Sequence, residues 1–143
     1  MLDRARTQRA TLASDPPRLR EARRWLTRLV LEAGLTPEEA RELAVAFSET
    51  CANVHRHAYD GRRDGRVDVH VVIEDDRVIV TVDHDGRPFY PAAYVPPDLR
   101  RPSESGYGMH LIAALVDEVS FEGAGSGGRV TLVKRRSTEH VRA

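Results

Sequence analysis

Three scarcities narrow what this sequence can encode. A single cysteine, Cys51, in 143 residues leaves no disulfide pair and no Cys-rich zinc site, so disulfide scaffolds and zinc ribbons are excluded. A single lysine, Lys134, stands among 22 basic residues, which removes phosphate-binding schemes that need a lysine in a glycine-rich loop or on a following strand. Walker-type NTPases and eukaryotic-type kinases are thereby out. No apolar run approaches the roughly 20 residues of a membrane span, and the arginine-rich start lacks the apolar stretch of a secretion signal. A cytoplasmic protein without a membrane partner is expected.

What is present suits a packed globule: 41% hydrophobic and 31% charged residues, with no repeat or low-complexity tract. One domain over residues 1–143, with its core at about 10–136, is expected from the length. The zero net charge hides a segregation. Residues 1–28 hold eight arginines against three acids and residues 129–143 five bases against one acid, which leaves residues 29–128 at −9. Basic ends are nucleic-acid arms, partner surfaces or simply solvated termini; without a helix-turn-helix pattern, no direct nucleic-acid role is expected.

The hydrophobic period assigns the elements. Thr7–Ala13 reads as a first strand. Leu19, Ala22, Trp25, Leu26, Leu29 and Val30 recur at three and four, predicting a helix through Leu35 with Gly34 as its C-cap. Thr36-Pro37-Glu38-Glu39 is a helix start with a capping hydroxyl, a proline in the first turn and acids beside it; that helix is predicted to run to about His57. The period then drops to two. Val67 to Ile73 and Val78 to Val82 alternate around Glu74-Asp75-Asp76-Arg77, a β-hairpin. Five prolines between Arg87 and Ser105 predict a long loop of the kind that serves as a lid. Helical spacing returns over Gly106–Val119, and Val119–Glu122 with Val130–Val133 reads as a last hairpin across a glycine-rich turn. The order predicts an α+β fold: a two-layer sandwich, its sheet mostly antiparallel and its helices on one face.

Three segments carry candidate chemistry. In Ser48-Glu49-Thr50-Cys51-Ala52-Asn53-Val54-His55-Arg56-His57, the residues Glu49, Asn53 and His57 recur every four and form one helix stripe. A carboxylate and an amide oxygen on adjacent turns can serve a hydroxyl and a hard cation together. Next, Asp83-His84-Asp85-Gly86 ends a strand, with Gly86 permitting close backbone approach to a ligand or simply making a turn after an edge strand. Last, Gly106-Tyr107-Gly108-Met109 places two glycines at a helix start, where free amide groups and the helix dipole favour a phosphate. Cys51 lies on the apolar side of its helix and is read as a packing residue.

In this order the segments AVAFSETCANVHRHAY, DGRPFYP and GYGMHLIAALVDEVSFE resemble the anti-sigma factor serine kinases, bacterial regulators with the Bergerat-type ATP-binding fold of histidine kinases and gyrase-like ATPases. The resemblance spans about residues 10–136. It implies ATP and Mg²⁺ as cofactors, with Glu49 as the general base toward a substrate serine and Asn53 as the Mg²⁺ ligand. It further implies nucleotide contacts from His57, His84, Gly86, Gly106, Tyr107, Gly108 and Met109; with lysine nearly absent, phosphate contacts from Arg100 and Arg101 of the lid are expected beside Mg²⁺. It also implies a homodimer that sequesters an alternative sigma factor and phosphorylates a STAS-domain antagonist.

Two departures stand out. His84 occupies the position of the family's adenine-binding aspartate, its neighbours Asp83 and Asp85 being expected on the opposite strand face. Gly128-Arg129 stands where relatives often have Gly-Thr. A second reading of a different class therefore stays open, a sigma- or STAS-binding module that does not need ATP.

Overall fold

The computed structural model describes residues 6–88, 104–124 and 127–137. The first strand is present as β1 (Arg6–Ala13), and Pro16 then opens α1 (Pro16–Glu32). Its C-cap is Ala33 and not Gly34; Gly34 follows at φ 106°, the left-handed turn that a side chain resists. Helix α2 (Pro37–Asn53) begins with a full capping box: Glu39 N–H donates to the Thr36 hydroxyl at 3.0 Å and Thr36 N–H donates to the Glu39 carboxylate at 2.9 Å.

The predicted continuation of α2 to His57 as regular helix is corrected. From Val54 to Ala58 the chain widens into a π-turn, closed by Tyr59 N–H on the Val54 carbonyl at 3.1 Å. The hairpin follows as β2 (Arg66–Ile73) and β3 (Arg77–His84). Helix α3 spans Glu104–Leu115, so it starts two residues earlier and ends four residues sooner than the periodicity indicates. The last hairpin is β4 (Glu118–Ala124) and β5 (Gly127–Arg135).

The five strands form one sheet in the order β1-β2-β3-β5-β4, and all four pairings are antiparallel. Side chains alternate between its faces. Val67, Val69, Val71, Val78, Val80, Val82, Val130 and Leu132 point to one core shared with Leu26 and Val30 of α1, Leu43, Phe47 and Cys51 of α2, and Ile112 of α3. The opposite face carries Asp68, His70, Thr81, Asp83, Arg129 and Thr131, which are partly or fully exposed. That is the two-layer α+β arrangement read from the sequence.

Lys134 braces the helical layer. Its ammonium, on a side chain only 12% exposed, donates to Glu42 of α2 at 2.7 Å and to the Leu115 carbonyl at the end of α3 at 2.9 Å. The one lysine is thus a structural tie. Burial pushes the Cys51 thiol up to about 12, in keeping with a packing residue.

Candidate functional site

Helix α2 supplies the centre. Glu49 is half-buried, while Asn53, one turn later, is only 2% exposed and accepts at Oδ1 from Arg56 Nη2 at 3.3 Å. Helix α3 packs alongside α2. Gly106, the third residue of α3, falls in its first turn, where amides have no intrahelical partner, but Gly108 is the fifth residue and lies past those free amides, so the two glycines do not both open the helix as the sequence indicated. The side chains of Tyr107 and Met109, and nearly all of the predicted lid with Arg100 and Arg101, lie outside the described residues.

The π-turn joins this helix to the end of β3. Arg87 N–H donates to the Ala58 carbonyl at 2.8 Å. A methyl group added at Gly86 would come within 2.4 Å of that carbonyl oxygen and 2.7 Å of the Tyr59 ring. The close approach that requires glycine is therefore to α2's own end. Strand β3 is central in the sheet, so Gly86 does not follow an edge strand.

Tyr59, absent from the sequence-based candidates, is the hub beneath. Its hydroxyl lies 2.5 Å from the Arg66 carbonyl and 2.7 Å from Asp85 Oδ1, and accepts from Asp85 N–H at 3.0 Å. Burial, then the bond to Asp85, pushes the phenol up to about 12. Nothing in the local sequence marks this role, because Arg66, Asp85 and Tyr59 meet only through the fold.

His84 is 7% exposed. Its ring packs edge-on against Tyr59 at 6.1 Å between centroids, and it faces Gly128 of β5, where an added methyl group would meet Nε2 at 2.7 Å. Burial lowers its pKa, against the opposing pull of Asp85 and Asp83. The imidazole is therefore neutral at physiological pH, with one ring nitrogen able to accept. Neither flanking aspartate substitutes for it. Asp83 points to the outer face, where Arg129 of β5 clasps it through Nε at 2.7 Å and Nη2 at 3.0 Å, and Asp85 is held by Tyr59. The same pair explains Arg129: it serves the outer face, away from His84. His57 is half-buried, its pKa lowered by burial and then by Arg56.

On the other side of α2, Pro16, Leu19, Arg20, Arg23, Ser48, Ala52, His55 and Arg56 line a groove of about 270 Å³ against α1. His55 is fastened there by Nδ1, 2.9 Å from the carbonyl of the buried Ser14.

The family model of the histidine kinase-like ATPase domain matches residues 12–134. The serine-protein kinase RsbW of Bacillus pumilus is 33% identical over 121 residues, covering 76% of this chain and 72% of the relative. RsbW of Bacillus subtilis is 31% identical over 119 residues, with 76% and 72% covered. The chain belongs to the anti-sigma factor serine kinase family. Solved structures agree on the fold of this family member. The RsbU and RsbW domains of Rv1364c from Mycobacterium tuberculosis superpose with a TM-score of 0.67 at 22% identity, over 92% of this chain and 32% of that one. The histidine kinase domain from Erythrobacter litoralis gives 0.54 at 23% identity, over 73% and 48%. The chain thus spans about a third of that solved mycobacterial chain. The matched family model is an ATPase domain and the relatives are named serine-protein kinases, and among the described residues no helix is long and apolar enough to cross a membrane.

Proposed function

We propose that this chain, acting as one domain, is an ATP- and Mg²⁺-dependent anti-sigma kinase. It sequesters an alternative sigma factor as a homodimer and phosphorylates a STAS-domain antagonist on serine or threonine, without contacting nucleic acid or membrane itself. The observation that carries this reading is the pairing of half-buried Glu49 with buried Asn53 one turn later on α2, the helix against which α3, with Gly106 in its first turn, packs.

The donor set fits Mg²⁺. That ion keeps several waters and takes one or two protein oxygens plus substrate phosphates, and Asn53 offers one buried amide oxygen. When bound, Mg²⁺ offsets phosphate charge that a lysine-poor pocket cannot. Glu49 takes the proton from the acceptor hydroxyl as its oxygen bonds the γ-phosphorus and the bond to the bridging oxygen of the leaving diphosphate breaks. The first-turn amide of Gly106 donates to a phosphate oxygen, Gly108 leaves room for the nucleotide beside it, and Arg100 and Arg101 supply further charge to the phosphates. Neutral His84 accepts from the adenine amino group, while His57, Tyr107 and Met109 line the nucleotide. Gly86 acts by letting β3 reach α2.

Titration with Mg·ATP by calorimetry tests the reading, and no heat at millimolar nucleotide overturns it. Given binding, Glu49→Ala is expected to keep affinity within about twofold and to cut phosphoryl transfer by about 100-fold or more; retained transfer contradicts the base assignment. His84 favours the second reading, a binding module that works without ATP. A His84→Asp variant that gains nucleotide affinity over a non-binding parent would establish it, and tight Mg·ATP binding by the parent would remove it.

A further inference from the structure

We propose that Arg56 is a positioning residue that sets the Mg²⁺ requirement of this site by competing with the metal for the Asn53 amide oxygen. The inference rests on Asn53 as the metal ligand, the reading given above, and goes beyond it in assigning a role to Arg56.

Arg56 Nη2 donates to Asn53 Oδ1 at 3.3 Å. The partner is a neutral amide, although arginine normally finds a carboxylate. The reason lies in the groove between α1 and α2, which Arg56 lines together with Arg20, Arg23 and His55, and which has no acidic residue among its eight lining residues. Among the described residues none of these three arginines makes an ion pair. Like charges on the groove side and no carboxylate to hold it there bias the guanidinium toward Asn53.

Two effects of opposite sign follow. The N–H···O bond draws on one of the two lone pairs of the oxygen that Mg²⁺ would use, and the guanidinium charge repels a cation held there. Mg²⁺ then binds less tightly than Asn53 alone would allow. Without metal, the same charge partly neutralises the nucleotide phosphates, a task the chain's single lysine does not share because it is committed to Glu42 and Leu115. Arg56 thus converts Mg²⁺ loading into an exchange of one cation for another.

Calorimetric ATP titrations of the parent and Arg56→Gln, across a Mg²⁺ series and in EDTA, test this. Glutamine keeps a polar, exposed side chain, and an unchanged thermal midpoint verifies folding. The expected result is crossed. The Mg²⁺ concentration for half-maximal affinity falls by about tenfold, while metal-free ATP affinity drops about threefold or more. In an Asn53→Ala background the substitution should leave Mg²⁺ dependence unchanged. An Mg²⁺ requirement that stays the same or rises in Arg56→Gln overturns the competition while leaving the kinase reading intact. A parent that binds no ATP under any condition overturns both.

Discussion

At the residue scale, a buried histidine, His84, ends β3 where the family resemblance places a carboxylate. Burial holds its pKa in the folded chain below the ordinary 6.5, so the unfolded chain takes up the proton first as pH falls. The associated stability is complete above about pH 6.5 and is lost as pH drops through the lowered folded value. His57 shifts in the same direction, led by its burial. Urea titrations at about pH 7.5, 6.5 and 5.5 are therefore expected to show declining stability, with His84→Gln flattening part of the decline. An identical slope in the variant would contradict the assignment. Nucleotide affinity should weaken over the same acidic range, because a protonated ring has no acceptor for an amino group.

At the element scale, the contact between the π-turn and the end of β3 is the junction on which Asn53 and His84 both depend. Gly86→Ala drives a methyl group into the Ala58 carbonyl and the Tyr59 ring. It is expected to cost about 2 kcal/mol, read as a lower urea midpoint, and to weaken nucleotide binding as β3 is pushed off α2. A neutral effect on both would mean that the junction yields freely. Tyr59→Phe removes the hydroxyl that gathers the Arg66 carbonyl and Asp85; a loss of about 1–2 kcal/mol is expected in the same assay.

At the scale of the whole molecule, Lys134 ties β5 to α2 and to the end of α3. Truncating it to alanine leaves the Leu115 carbonyl and Glu42 without that donor and should cost about 2 kcal/mol. Hydrogen exchange would show the loss first in α3, and uniform protection would argue against a brace. The charge segregation acts at the same scale. A nucleotide pocket set in the −9 middle of the chain repels a polyanion, so chelating Mg²⁺ is expected to weaken ATP binding by about tenfold or more. Metal-independent affinity would contradict that placement.

The elements were legible in the sequence because their signals are local. A period of two or of about 3.6 and the Thr36 capping box act between near neighbours, and they fix strands, helices and the α+β layering. The stripe of Glu49 and Asn53 was legible for the same reason. Longer-range facts were not. The π-turn depends on Gly86 and Arg87 docking against Ala58, the fates of Asp83 and Asp85 depend on Arg129 and Tyr59, and Lys134 finds Glu42 across 92 positions. Even the bond of Arg56 to Asn53, three residues away, lies at a groove that Arg56 shares with Arg20 and Arg23 of another helix. Periodicity tells which face of an element is buried; which side chains meet there is decided only when distant segments pack, and there the chemistry of this site is settled.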